Sequence, residues 1–236
     1  MIEVQNVSVR FGGVVALSEV STTFSKPVSG IIGPNGAGKT TLMNVFSGFV
    51  AAAGAISCGG QDLTQLAPHK RAHWGLRRSF QKEEIANDLT VFENVLVQID
   101  NISVSGRSRA DEVVHMLKFV GLSDKANVLG ENLNTFERRL TDVAKCLVGK
   151  PRVIMFDEPA GGMSVDETHQ LGELIKGIHA EIGAQTLVID HDVDLIRQIC
   201  EETLVLDFGR KIAFGETDAV LADPKVKAAY LGIEEV

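Results

Sequence analysis

The sequence predicts an α/β fold in which an N-terminal antiparallel β subdomain and an inserted α-helical subdomain accompany a parallel-sheet core. Three observations predict it. Residues 2–9 and 20–24 alternate apolar and polar, as half-buried strands do. Unbroken apolar runs at Val28–Ile32, Val153–Asp157 and Thr186–Asp190 read as buried parallel strands, with helical patterns between them. The block 82–149 breaks that strand–helix rhythm with apolar residues at helical spacing. We therefore expect a single domain over 1–236, with a core of 1–81 and 150–236 and a helical insert of 82–149. A chain of 236 residues is long enough for such a core with an appended lobe.

Composition narrows the function. With 44% hydrophobic and 23% charged residues the chain reads as an ordinary globular protein. A net charge of −8 with no basic block argues against nucleic-acid backbone binding, and no nucleic-acid partner is expected. No apolar run approaches a membrane span and the first residues carry no signal-peptide pattern, so any membrane association is expected to go through a protein partner. Cys58, Cys146 and Cys200 lie far apart with no CxxC pair, which suits a reduced cytoplasmic setting.

In chain order, Arg10-Phe11-Gly12-Gly13 reads as a turn between the first two strands. Its one ring, Phe11, is either a stacking surface for a base or a core residue at a strand end. After the strand at 28–32 comes Gly33-Pro34-Asn35-Gly36-Ala37-Gly38-Lys39-Thr40-Thr41, followed by a helix opening at Leu42. Strand, glycine-rich loop, Lys-Thr and helix is the context of a phosphate loop. Its glycines let successive backbone N–H groups curl round a triphosphate, and the helix N-terminus adds partial positive charge. Lys39 is placed to reach the β- and γ-phosphates and the Thr40 hydroxyl to meet Mg²⁺. The core is thus of the P-loop NTPase kind, taking ATP with Mg²⁺.

Residues 54–60 read as a strand and turn, and Pro68 to Gly75 as a short helix. Gln81 follows Leu76-Arg77-Arg78-Ser79-Phe80. Helical spacing runs through Val91, Val95 and Ile99, and through Val113, Leu117 and Val120, with a polar loop expected at 101–109. The strand at 153 ends in Asp157-Glu158, at the edge where open α/β sheets bind ligands. Asp157 there suits Mg²⁺, and Glu158 suits polarising an attacking water. A helix is expected from Thr168 to Ile182. The strand at 186–190 ends at His191, on the same ligand edge, within reach of a γ-phosphate. A helix from Asp194 to Glu201 and a hairpin around Gly209-Arg210 complete the reading.

Phosphate loop, Gln81, Asp157-Glu158 and His191, in this order around a helical block, resemble the nucleotide-binding subunit of ABC transporters over essentially the whole chain. The stretches 75–81, 89–95, 157–163, 206–211 and 229–232 look most like the subunits that energise import of branched-chain amino acids and related amides. The lipopolysaccharide-export ATPase is the nearest competitor. The resemblance implies an ABC-type ATPase with Phe11 on the adenine, Gln81 sensing Mg²⁺ and water, Glu158 as general base and His191 as the switch histidine. It also implies a peripheral position on the cytoplasmic face of the membrane and integral-membrane permease subunits docked at the helical lobe. A periplasmic or extracellular solute-binding protein is implied indirectly.

One motif departs from the family. The signature, Leu-Ser-Gly-Gly-Gln or a near variant, aligns with Leu133-Asn134-Thr135-Phe136-Glu137. Asn134 replaces a Ser whose hydroxyl grips the γ-phosphate held by the opposing subunit, and Phe136 replaces a Gly whose backbone does the same. A weak outgoing half-site is expected, and with it a heterodimer with a second ATP-binding subunit that carries an intact signature. The usual Asp of the dimer-seam loop at 162–166 falls on Ser164. Competing readings are a soluble ABC-type ATPase acting on ribosomes or DNA, which normally needs two fused cassettes or a coiled-coil insertion, and a nucleotide-gated regulatory subunit with little turnover.

Overall fold

The computed structural model describes residues 1–99 and 108–231. In chain order its elements are β1 (Ile2–Phe11), β2 (Val14–Phe24), β3 (Val28–Ile32), α1 (Lys39–Ser47), β4 (Ala53–Cys58), β5 (Gln61–Asp62), α2 (Pro68–Trp74) and β6 (Leu76–Arg78). Then follow α3 (Val91–Leu96), α4 (Arg109–Phe119), α5 (Thr135–Leu147), β7 (Val153–Asp157), α6 (Val165–Ile182), β8 (Gln185–Ile189) and α7 (Val193–Ile199). The chain closes with β9 (Glu202–Asp207), β10 (Arg210–Glu216), α8 (Thr217–Ala222) and α9 (Pro224–Leu231). Two compact units result, Met1–Ala72 with Leu187–Val236, and His73–Thr186. The helical block expected at 82–149 falls wholly within the second.

In the first unit, an antiparallel sheet runs β2-β1-β4-β5. Alternation sends Ile2, Val4, Val7, Val9, Leu17, Val20, Phe24 and Ile56 inward. Bulges interrupt the β1–β2 register, and Asn6 (φ 50°) and Glu19 (φ 51°) absorb them in the left-handed region. Hydroxyls replace the lost ladder bonds: Asn6 N donates to Ser21 Oγ at 2.8 Å, and Glu19 N to Ser8 Oγ at 2.8 Å. The fully buried β3 pairs in parallel with β9, and β10 pairs antiparallel with β9. Buried Glu202 fastens the approach to β3, accepting from Ser25 N (2.6 Å), Lys26 N (2.9 Å) and Ser29 Oγ (2.8 Å).

In the second unit β6 and β7 pair in parallel, with Arg78 opposite Met155. Helices α3, α5 and α6 each open on a reciprocal capping box, Thr90/Glu93, Asn134/Glu137 and Ser164/Glu167. The strongly two-faced α5 buries Leu140, Val143, Ala144 and Leu147.

Several boundaries differ from expectation. The second strand begins at Val14, because Phe11 ends β1 and only Gly12-Gly13 turn the chain. Helix α6 begins at Val165 rather than Thr168: the Ser164 cap sets its start although Val165 is 85% exposed and signals no buried face. Asp192 caps α7, which ends at Ile199. The β9–β10 turn lies at Phe208-Gly209, one residue earlier than expected. Of the loop expected at 101–109, residues 101–107 lie outside the described residues, and Ser108 caps α4. Residue 232, in the last family-like stretch, also lies outside them.

Candidate functional site

In the first unit, the chain leaves β3 at Gly33 and enters α1 at Lys39. Two glycines of this loop have no room for a side chain. A Cβ on Gly33 (φ 151°) would stand 2.1 Å from the Leu206 carbonyl, and one on Gly38 (φ 102°) 2.7 Å from that of Ala16. The β9–β10 turn braces it: Gly209 N donates to Ala37 O at 3.0 Å, and Ser18 N to Gly209 O at 2.8 Å. Lys39 is buried and folds back, its Nζ donating to the carbonyls of Gly33 (2.6 Å) and Pro34 (3.0 Å). That ammonium is held over the loop mouth by oxygens that phosphate oxygens can replace. Gly38, the N-cap of α1, has no side chain with which to cap the first turn. Asn35, Gly36 and Thr40 are exposed, while Ala37 is buried. Phe11 is 52% exposed at the end of β1, which removes the core-residue alternative. His191 follows β8 with its side chain 67% exposed and Nδ1 3.7 Å from buried Asp190.

In the second unit, β7 delivers Asp157 and Glu158. Asp157 is buried, and its Oδ2 accepts from the Arg78 guanidinium at 2.8 Å. Arg78 stands two residues down the neighbouring strand and also covers the Phe80 ring, 5.1 Å from its centroid. Glu158 adopts φ 50°, a conformation non-glycine residues enter at a cost, and its Oε2 accepts from Gln81 Nε2 at 2.7 Å. Gln81 and Glu158 are thus joined across 77 residues of sequence.

The family model described as ABC transporter matches residues 17–161. The chain belongs to the ABC transporter family. It is an ABC-type ATPase with the cassette fold. The high-affinity branched-chain amino acid transport ATP-binding protein BraF of Pseudomonas aeruginosa is 32% identical, covering 98% of each chain. LivG of Escherichia coli K12, carrying the same description, is 33% identical with 98% of each covered. Among solved structures, the ADP conformation of MJ1267, an ATP-binding cassette of an ABC transporter, superposes with a TM-score of 0.88 at 28% identity, over 99% of each chain.

The ABC family implies Mg²⁺ with its nucleotide, and the residues present fit that ion. In the first unit the Thr40 hydroxyl, and in the second the Asp157 carboxylate, are each hard oxygen donors of the kind that takes Mg²⁺ beside phosphate oxygens. Among the described residues no group of three or more His, Cys, Asp or Glu could hold a metal unaided.

At the ABC signature position, Asn134 is the N-cap of α5. Its Oδ1 accepts from Glu137 N at 2.8 Å, while Glu137 Oε2 accepts from Asn134 N at 3.0 Å. A second Glu137 oxygen pairs with Lys125 at 2.9 Å. The Asn134 carbonyl oxygen is therefore committed to its own helix. Phe136 is half-buried in the first turn. Sequence reasoning gave no role to Arg78 or to Arg139, which reaches the stretch around Gln81. The one available signal was two arginine pairs, 77–78 and 138–139, flanking motif positions.

Proposed function

We propose that this chain is the ATP-hydrolysing subunit of an importer for branched-chain amino acids or related amides. It sits on the cytoplasmic face of the membrane against permease subunits, with a solute-binding protein delivering cargo from the other side. Near-complete coverage of BraF and LivG supports that substrate class. Among the described residues no helix is long and apolar enough to cross a membrane.

The observation that carries the catalytic reading is the 2.7 Å bond from Gln81 to Glu158. A carboxylate at a strand end held by an amide is oriented for a water rather than left to swing. In this reading Gly33, Pro34, Asn35, Gly36, Ala37, Gly38, Lys39, Thr40 and Thr41 take the phosphates, Lys39 exchanging its two carbonyl partners for phosphate oxygens. Phe11 stacks on adenine. Thr40, Asp157 and Gln81 meet Mg²⁺, which supplies charge neutralisation to the phosphates when bound. Glu158 accepts a proton from the attacking water, and His191 donates towards the γ-phosphate. The lobe 82–149 receives the permease helices, and core 1–81 with 150–236 holds the nucleotide.

Glu158→Gln tests this in the assembled transporter. Gln keeps the shape and loses the base, so ATP binding should persist while turnover falls by about 10²-fold or more. Wild-type turnover would remove Glu158 from the role.

The partner cassette belongs to the same proposal. A signature needs a donor and a side-chain-free backbone: the cap takes only the Asn134 oxygen and leaves its Nδ2 able to donate, whereas Phe136 adds a ring where the backbone should be bare. This supports a heterodimer in which a second ATP-binding subunit supplies the intact signature. The site built on this chain's phosphate loop then turns over, and the opposite one holds ATP as a slow ligand.

A further inference from the structure

Residues 79–88 form neither helix nor strand, so their backbone groups need partners from elsewhere. Met155 of β7 accepts from Ser79 N and Asn94 of α3 bonds both backbone groups of Ala86, and helix α5 supplies partners between these two ends. Arg139, with its side chain only 3% exposed, pairs with Glu83 at 2.9 Å and donates to the carbonyls of Phe80 (3.4 Å) and Gln81 (3.3 Å). Arg138 donates to Asn87 Oδ1 at 3.0 Å and to Gly130 O at 2.7 Å. Lys145 donates to the Glu84 carbonyl. Three cations on one helix thus suspend the stretch whose first residues include Gln81. Of these, Arg139 alone grips Gln81's own carbonyl, while Gln81's amide grips Glu158.

We infer that Arg139 is a positioning residue for the ATPase reaction: it fixes the Gln81 backbone so that the side chain stays on Glu158. Arginine is suited to this because its planar fork serves a carboxylate and two carbonyls at once, which a lysine ammonium at the same depth does not. The inference rests on the proposed role of the Gln81–Glu158 pair. Nothing in it touches Lys39, so affinity for ATP in the absence of Mg²⁺ is independent of Arg139.

The test is a double-mutant cycle on ATPase activity of the assembled transporter with Arg139→Met, Gln81→Ala and both together. Arg139→Met should lower kcat roughly tenfold to a hundredfold, the scale of a misplaced reacting group, with affinity for Mg²⁺-free ATP unchanged. In the Gln81→Ala background the same change should cost no further turnover, because the side chain through which Arg139 acts on the reaction is gone. Hydrogen exchange on the purified chain gives a readout besides activity: the amides of Ser79 and Ala86, bonded to Met155 O and Asn94 Oδ1 at the two ends of the stretch, should lose protection in Arg139→Met. Arg139→Lys, which keeps the charge opposite Glu83, should retain the fold and part of the protection while still losing turnover. Losses that multiply in the double variant, or unchanged protection at Ser79 and Ala86 in Arg139→Met, would overturn the inference. A Gln81→Ala protein with wild-type turnover would instead overturn the role of Gln81 itself.

Discussion

Phe11 shows how one residue's exposure separates two chemistries that its type leaves open. A ring at a strand end packs inward or waits for a flat partner, and here it is 52% exposed beside the Gly12-Gly13 turn. Phe11→Ala should therefore leave the urea midpoint nearly unchanged, as surface substitutions do. It should cost on the order of 1 kcal/mol in ATP affinity, the scale of an aromatic stacking contact. Calorimetric titration with ATP checks this, and a variant that loses stability yet binds normally would refute it. The cysteines teach the complementary lesson. All three are buried thiols outside any disulfide, and burial pushes the Cys146 and Cys200 thiols well above their ordinary range, which suppresses the reactive thiolate.

At the scale of the element, α5 sets helix periodicity against charge. Its buried side carries Arg139, Asp142 and Lys145 beside apolar residues, and Asp142 Oδ2 has no hydrogen-bond partner among the described residues. Burial raises the Asp142 carboxyl from 3.8 to about 6, against the pull of Lys145 and Arg139 and with the push of Glu83 and Glu84. The folded state therefore keeps this proton in a window where the unfolded chain has released it. Stability from Asp142 falls as pH rises through that window and is at its lowest above about 6. Asp142→Asn should raise the unfolding free energy at neutral pH by on the order of 2 kcal/mol, with the gain shrinking towards pH 4. Urea titrations of both proteins across that range measure it, and a variant less stable than wild type at neutral pH would contradict it. The capping boxes at this scale were legible as Thr90-x-x-Glu93 and Ser164-x-x-Glu167, yet the start of α6 was missed. The apolar pattern alone ignores a first turn that faces water.

At the scale of the whole molecule, the prediction concerns assembly. If Asn134 and Phe136 spoil the signature, the purified chain alone should be a weak ATPase, since losing one preorganised donor costs roughly 10²–10³-fold. Asn134→Ser with Phe136→Gly should then raise its self-assembled activity, with dimerisation followed by light scattering in the presence of ATP. Ser retains an N-cap acceptor for Glu137, so the double change leaves α5 properly started. Brisk, cooperative turnover by the unaltered chain, with no gain from the double change, would sink the heterodimer.

What the sequence determined by itself is the chemistry written in contiguous residues. The glycines, lysine and threonine of 33–41 lie in a single loop, so their order alone carries the phosphate-loop reading. Strand β7 with its terminal acids was equally readable, because a run of apolar residues ending in carboxylates has few structural meanings. What only the tertiary structure decided is which distant groups meet: Arg78 with Asp157 across 79 residues, Gln81 with Glu158 across 77, and Arg139 with the Gln81 carbonyl across 58. Periodicity reports the face a residue presents to its own element's neighbours. It holds no record of strand register or of which irregular backbone a buried guanidinium will satisfy, and those pairings exist only once the chain has packed.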